Sequence, residues 1–204
     1  MLHVRLNLIT ADPLLLGDSI KFIESEVRPE VESQPGNLGM SLLVNPELGV
    51  AILESFWASH DVLRASERIV APGRAEAVRR ATGTVTVERY RVPVFEREAP
   101  LRSGEGVRLT RLDVTPSPVE DTVAAFGDTA VPRLAETDGF CGALFFVDRT
   151  SGRSISETFW RDPQALAASR STAAAIRVDT VAAANCVIRA VEEYRLVFNS
   201  ARKP

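Results

Sequence analysis

Cysteine and histidine are scarce: Cys141, Cys186, His3 and His60 are all that 204 residues contain. No metal-ligand set stands out among them. Both cysteines fall in strand-like segments and read as small buried hydrophobes in a reducing compartment, so a cytoplasmic protein is expected. No apolar run approaches the roughly 20 residues of a membrane helix. The opening MLHVRLNLITADP is broken by Arg5 and Asp12 and lacks a signal-peptide core. Positive charge is not in excess, with 24 Lys and Arg against 27 Asp and Glu, a net charge of −3 and a pI near 5.5. Neither nucleic acid nor an anionic membrane is therefore an expected partner. G-x-G-x-x-G, P-loop and nucleophile-elbow motifs are all missing, which removes the usual signals of nucleotide use and serine hydrolysis. What is present, 45% hydrophobic and 25% charged residues, is the composition of an ordinary globular chain.

The chain repeats itself. Placing Gly36-Asn37-Leu38-Gly39 over Gly139-Phe140-Cys141-Gly142, a shift of about 103 positions, superposes Glu54-Ser55-Phe56-Trp57 on Glu157-Thr158-Phe159-Trp160 without a gap. Val44, Gly49 and Ile52 then meet Val147, Gly152 and Ile155, and Leu63, Ala65 and Ser66 meet Leu166, Ala168 and Ser169. After one inserted residue, Val87-Glu88-Arg89-Tyr90-Arg91 lies over Val191-Glu192-Glu193-Tyr194-Arg195. The chain has only two tryptophans, and both stand in an E-x-F-W setting. That is the mark of a duplication.

Each copy reads as βαββαβ. Val4, Leu6 and Leu8 alternate with polar residues as in a half-buried strand. For the first strand of the second copy, Arg111-Leu112-Asp113-Val114, a register near 106 is expected, which pairs Arg5 with Arg111 and Asn7 with Asp113. Helices are expected over 13–33 and 118–136, with Pro118 in a first turn and Pro29 and Pro132 late enough to kink or end the bonding. Strands follow at 38–45 with 49–57, and at 141–148 with 153–160, joined by the turns 45–48 and 148–151. Second helices are expected over 60–69 and 163–175, with Asp162 as N-cap before Pro163. Last strands are expected at 84–95 and 186–198. The domain reading is a first repeat over 1–96, a linker over 97–106 and a second repeat over 107–204.

The fold class is thus α+β, two ferredoxin-like repeats. Apolar residues at both parities of several strands (Ile52 and Leu53, Leu42 and Leu43, Phe145 and Phe146) require cover on both sheet faces. The two antiparallel sheets are therefore expected to pack face to face as an intrachain pseudo-dimeric α/β barrel, leaving the chain a monomer or a homodimer through an edge strand or helix.

Four residues are candidate pocket-lining groups: Asn7, Trp57, Asp113 and Trp160. Each tryptophan is either the wall of a flat apolar pocket or a core anchor under the second helix. Asn7 and Asp113 either bond a ligand or face solvent at a strand end. Glu54 and Glu157 sit amid apolar strand residues; since first and third strands are neighbours, structural ion pairs Arg5–Glu54 and Arg111–Glu157 are expected in preference to catalysis. His60 and His3 read as surface residues. No catalytic residue and no metal ligand stands out. Phe140, Phe145 and Phe146 replace Asn37, Leu42 and Leu43 in the second copy, so the first copy is expected to hold the more open pocket.

The segments 35–39 and 138–142, each followed by E-x-F-W and a short helix, resemble the antibiotic-biosynthesis monooxygenase family of the dimeric α/β-barrel superfamily, over nearly the whole chain twice. The resemblance implies a sheet-to-sheet pair of units, a small-molecule ligand, and cofactor-independent oxygenation of phenol- or quinol-like aromatics; a non-catalytic binding barrel with degenerate pockets is the alternative it leaves open. No cofactor is implied. The family's oxygenase pattern has a strand Trp, matched by Trp57 and Trp160. It also has an Asn four residues earlier, here Leu53 and Ser156, and a Tyr six later, here Leu63 and Leu166. Its haem-degrading pattern has a first-strand Asn, matched by Asn7, but the helical Trp is replaced by Ser66 and Ser169 and the histidine beyond it is absent. Haem degradation is not implied.

Overall fold

A computed structural model describes residues 1–97, 99–114 and 119–203. The described residues form eight strands, β1 (His3–Thr10), β2 (Asn37–Asn45), β3 (Val50–Trp57), β4 (Thr84–Arg97), β5 (Gly106–Asp113), β6 (Phe140–Val147), β7 (Arg153–Trp160) and β8 (Val187–Asn199), with helical stretches after β1, β3, β5 and β7. Their hydrogen-bonded order is β1-β3-β2-β8-β5-β7-β6-β4, closed into an antiparallel barrel. The chain divides into two compact units, Met1–Arg89 with Val197–Pro204, and Tyr90–Leu196. Their boundaries fall inside the two long strands β4 and β8.

In the first unit the chain between β1 and β2 forms α1 (Leu16–Phe22), a π-helical turn (Ile23–Val27) and α2 (Arg28–Glu32). The second unit repeats this as α5 (Val119–Ala124), a π-helical turn (Ala125–Ala130) and α6 (Val131–Ala135). Pro29 and Pro132 do not end these helices: each stands in the first positions of α2 or α6, directly after the π turn. A wide turn followed by a helix start is where a missing N–H does least harm. The expected place of Pro118 in a first turn lies outside the described residues.

The second helical stretches are α3 (His60–Ala65) with α4 (Glu67–Arg80), and α7 (Pro163–Ala168) with α8 (Arg170–Ala184). They run well past the expected ends at 69 and 175. Helix α4 even continues through Pro72, in its second turn. Buried Val70 and Ala77 on its inner face outweigh the proline's local cost. Both stretches are capped at their starts: Ser59 Oγ accepts from Val62 N at 3.3 Å, and Asp162 Oδ1 from Ala165 N at 2.7 Å. Ser59→Ala is expected to lower stability by about 1 kcal/mol in urea unfolding; no change would mean the cap is idle. Gly36 and Gly139 precede β2 and β6 with φ of +76° and +82°, and a Cβ there would meet Val62 at 2.8 Å or Ala165 at 2.5 Å. Only glycine lets α3 and α7 seat this close.

Each unit has its own apolar cluster between sheet and helices. In the first, Ile23, Val27, Val31 and Val70 pack on Met40, Leu42, Leu53 and Trp57. In the second, Phe126, Ala130, Leu134 and Ala173 pack on Ala143, Phe145 and Trp160.

Candidate functional site

The strand register decides which side chains reach these helix-facing layers. In β1–β3, His3 lies opposite Trp57 and Arg5 opposite Ser55. In β5–β7, Gly106 lies opposite Trp160 and Arg108 opposite Thr158. The repeat offset is therefore 103 from the first strand onward, and the expected slip to 106 is wrong. Arg5 is equivalent to Arg108, within the shared tripeptide Val4-Arg5-Leu6 and Val107-Arg108-Leu109, and Asn7 is equivalent to Thr110. The same offset pairs Thr82 (φ 47°) with Asn185 (φ 50°), the left-handed residues that close α4 and α8.

Two of the expected roles change with this register. Arg5 and Glu54 belong to neighbouring strands, but Glu54 is opposite Leu6, so the two side chains leave the sheet on opposite faces. No Arg5–Glu54 pair forms. Arg5 instead turns to the helices, where Nη2 donates to Leu63 O (2.5 Å) and Ser66 Oγ (3.1 Å) and pairs with Glu67 (3.0 Å). Glu54 accepts from Ser41 Oγ at 2.9 Å on the other face. Arg111 does share a face with Glu157, and its Nε donates to Glu192 at 3.3 Å. Asp113 is no pocket residue: it pairs with Arg189 at 2.5 Å at the end of β5.

Trp57 and Trp160 are wholly buried. Their indole N–H groups donate to Ser55 Oγ (2.9 Å) and Thr158 Oγ1 (3.1 Å), and a guanidinium, Arg5 or Arg108, lies 5.7 Å from each ring. They are core anchors, not pocket walls. Asn7 does line a void, a small one of about 10 Å3 shared with Val27, Met40, Leu53, Val70 and Arg74. Its Nδ2 donates to Leu53 O at 2.9 Å.

The equivalent void in the second unit is larger, about 50 Å3. The expectation of a more open first pocket is overturned, and the repeat offset explains why. Val27, Met40, Leu53 and Val70 correspond to Ala130, Ala143, Ser156 and Ala173. Four side chains shrink at once. Of the three phenylalanines expected to fill the space, only Phe145 lines it. Phe146 stacks on Tyr90, and Phe140 meets Trp160 edge-on.

The polar lining of this cavity consists of Arg108, Arg177, the hydroxyl residues Thr110, Thr122, Ser156, Thr158 and Thr180, and the Cys186 thiol. Arg108 is fixed by Leu166 O (2.8 Å), Ser169 Oγ (3.0 Å) and Glu193 (3.0 Å), matching the bonds of Arg5. The acid beside it has moved. In the first unit Glu67 on α4 contacts Arg5, Arg74 (2.5 Å) and Arg89 (3.3 Å). In the second unit Arg170 takes the place of Glu67 and Glu193 that of Arg89, and these two pair at 2.6 Å. The charges have exchanged places.

Burial would push the Glu67 carboxyl up, but its hydrogen bond with Arg74 and the charges of Arg5, Arg74 and Arg89 outweigh that and hold it below the usual range. Glu193 is held low chiefly by its hydrogen bond with Arg170, against burial and with help from Arg108. Desolvation lowers Arg5 to about 10, opposed by Glu67. Burial raises the Cys186 thiol, leaving it protonated and unreactive at neutral pH.

Neither Arg108 nor Arg177 follows from composition or motif. Both were available from the ungapped offset, which places them over Arg5 and Arg74.

No known family profile matches the chain. It is 29% identical to the uncharacterized protein Rv2558 of Mycobacterium tuberculosis over 205 residues, covering the whole chain and 87% of that protein. Among solved structures, an anthrone oxidase-like protein superposes with a TM-score of 0.72 at 18% identity, over 97% of this chain and 92% of the other. A ferredoxin-fold protein of Listeria monocytogenes, related to antibiotic biosynthesis monooxygenases, gives 0.53 at 12% identity over 94% of each chain. The fold is that of the monooxygenase-like dimeric α/β barrels, with both halves in one chain. No described helix is long and apolar enough to cross a membrane.

Proposed function

We propose that this chain is a small-molecule-binding protein with one working site, the helix-facing cavity of its second unit, and that its chemistry is cofactor-independent oxygenation of a compact phenol- or quinol-like aromatic. One observation carries the reading: Val27, Leu53 and Val70 leave a void of only about 10 Å3 in the first unit, whereas their counterparts Ala130, Ser156 and Ala173 line one of about 50 Å3 in the second. A packed interior gives up dispersion contacts when such a void is kept, so a void enlarged at only one of two twin positions suits a ligand. At about 50 Å3 it is smaller than the roughly 150 Å3 that holds a benzene ring, so only a compact molecule can enter, and only as the lining shifts. The fold likeness to an anthrone oxidase-like protein supports the reaction class. The cationic lining favours a bound phenolate, the form that most readily gives an electron to oxygen. A hydroquinone and O2 would yield a hydroxyquinone and water, one oxygen atom entering the ring and the substrate supplying all the electrons. The protein's part is to bind, orient and exclude water.

Oxygen uptake with hydroquinone and metal-free, flavin-free protein tests the chemistry. The rate is expected to exceed the uncatalysed one and to fall at least tenfold in Ala173→Val, which restores the first unit's residue. A second reading, a binding protein without catalysis, is favoured by the lining itself, in which no carboxylate or imidazole is present to take a proton. Ligand binding that Ala173→Val abolishes, with no oxygen uptake, would establish that second reading.

A further inference from the structure

The second cavity contains a guanidinium that its own fold does not neutralise. Arg74 in the first unit is held by Glu67 at 2.5 Å, and its Nη1 lies 3.5 Å from Asn7 Oδ1. Arg177 stands at the same place in the second unit, but both partners have been replaced, Glu67 by Arg170 and Asn7 by Thr110. The relocated acid, Glu193, pairs with Arg108 and Arg170. Among the described residues Arg177 has no ion pair, although it lines the cavity. Two hydroxyls nearby are also unengaged. Thr110 and Ser156 lie directly opposite each other on β5 and β7, face the cavity, and make no side-chain hydrogen bond among the described residues. Their equivalents Asn7 and Leu53 bond to each other, Asn7 Nδ2 to Leu53 O at 2.9 Å. Leu112, Phe126, Leu134, Phe145, Ile176 and Val181 give the cavity its apolar wall, beside the hydrogen-bonded Arg108 and the hydroxyls of Thr122, Thr158 and Thr180.

A planar guanidinium with free donors at the edge of an apolar pocket is matched by a carboxylate on an apolar body. The fork geometry allows two parallel N–H···O bonds, and the low-polarity surroundings strengthen them. We infer that the cavity takes a small apolar carboxylic acid as its anion, with Arg177 gripping the carboxylate, the Thr110 and Ser156 hydroxyls available to it as donors, and the hydrocarbon part resting among Phe126, Phe145 and Ile176. This rests on the cavity of the second unit being the working site, and it asks that the compact aromatic proposed for it also carry a carboxylate. Burial and the neighbouring Arg108 charge both lower the Arg177 pKa, and Glu193 opposes them. A bound anion would reverse that direction.

Benzoate and hexanoate, each compared with its neutral amide, are the probes, read by calorimetry and by the emission of Trp160 beneath Arg108. Both acids are expected to bind at least tenfold more tightly than benzamide and hexanamide. Arg177→Met keeps most of the stem and is expected to remove at least tenfold of the acid affinity while leaving the amides unchanged; its far-UV circular dichroism confirms folding. Ala130→Val, which installs the first unit's residue, should abolish binding of acids and amides alike. If acids and amides bind equally and Arg177→Met changes neither, the anion inference is overturned while the cavity stands. Binding that survives Ala130→Val, or no binding by any probe, overturns the cavity and the inference together. Inorganic phosphate competing as strongly as benzoate would also overturn it, since a bare anion site needs no apolar body.

Discussion

Arg108→Met is expected to cost about 3–5 kcal/mol of folding stability, the usual consequence of removing one member of a buried ion pair. The Arg108 side chain is 3% exposed and satisfies three acceptors: the Leu166 carbonyl, Ser169 Oγ and Glu193. Methionine fills much of the volume but donates to none of them. The carbonyl that ends α7 and the carboxylate on β8 then lose their shared partner in a poorly hydrated layer. Arg5→Met should behave alike, since Arg5 holds Leu63 O, Ser66 Oγ and Glu67 in the same way. Urea unfolding followed by circular dichroism measures both. A loss near that of an exposed salt bridge, under about 1 kcal/mol, would mean that the helices seat on the sheet without this linkage.

The pH dependence follows from the same contacts. Glu193 in the folded protein lies below its ordinary carboxylate value of 4.5, mainly through the Arg170 hydrogen bond and then, against burial, the hydrogen bond and charge of Arg108. A depressed carboxylate stabilises fully above the unfolded pKa, and the contribution fades as pH falls through the folded value. The native protein should therefore lose stability on acidification below about pH 4.5, and Arg108→Met should lose less over the same range.

The barrel architecture was legible because a duplication tests itself. E-x-F-W, the paired glycines and the cap at Asp162 each gave a fixed point, and βαββαβ read twice left little freedom. The first strand was misplaced for a physical reason. Its neighbours are apolar at both parities, so hydrophobic alternation cannot choose between offsets of 103 and 106. A three-residue slip is odd and sends every side chain to the other face. That one error paired Arg5 with Arg111 instead of Arg108 and put Asp113 in a pocket; the Arg5–Glu54 pair fails separately, because Glu54 stands opposite Leu6 and leaves the other face. The cavity escaped for another reason. A void depends on the summed volumes of side chains from several elements, and Ala130, Ala143, Ser156 and Ala173 are unremarkable individually. The bulky phenylalanines drew attention, but two of the three point elsewhere.

The exchange of charge between the copies yields the most demanding expectation. Glu193→Arg alone should destabilise the chain by about 3–5 kcal/mol, because buried Arg108 loses its acid and gains a third cationic neighbour beside Arg170 and Arg177. Adding Arg170→Glu rebuilds the first unit's arrangement, in which Glu67 opens α4 and Arg89 sits on the strand. A glutamate at position 170 begins α8, where the helix dipole favours negative charge. The double variant should regain most of the lost stability, a coupling that a double-mutant cycle reads directly. It should also lose its affinity for benzoate, because the new acid can hold Arg177 as Glu67 holds Arg74. Stability and acid binding thus move in opposite directions in one protein. A double variant no more stable than Glu193→Arg would refute the equivalence of the two networks. One that is restored in stability yet binds benzoate as the native chain does would show that Arg177 is not what grips the carboxylate.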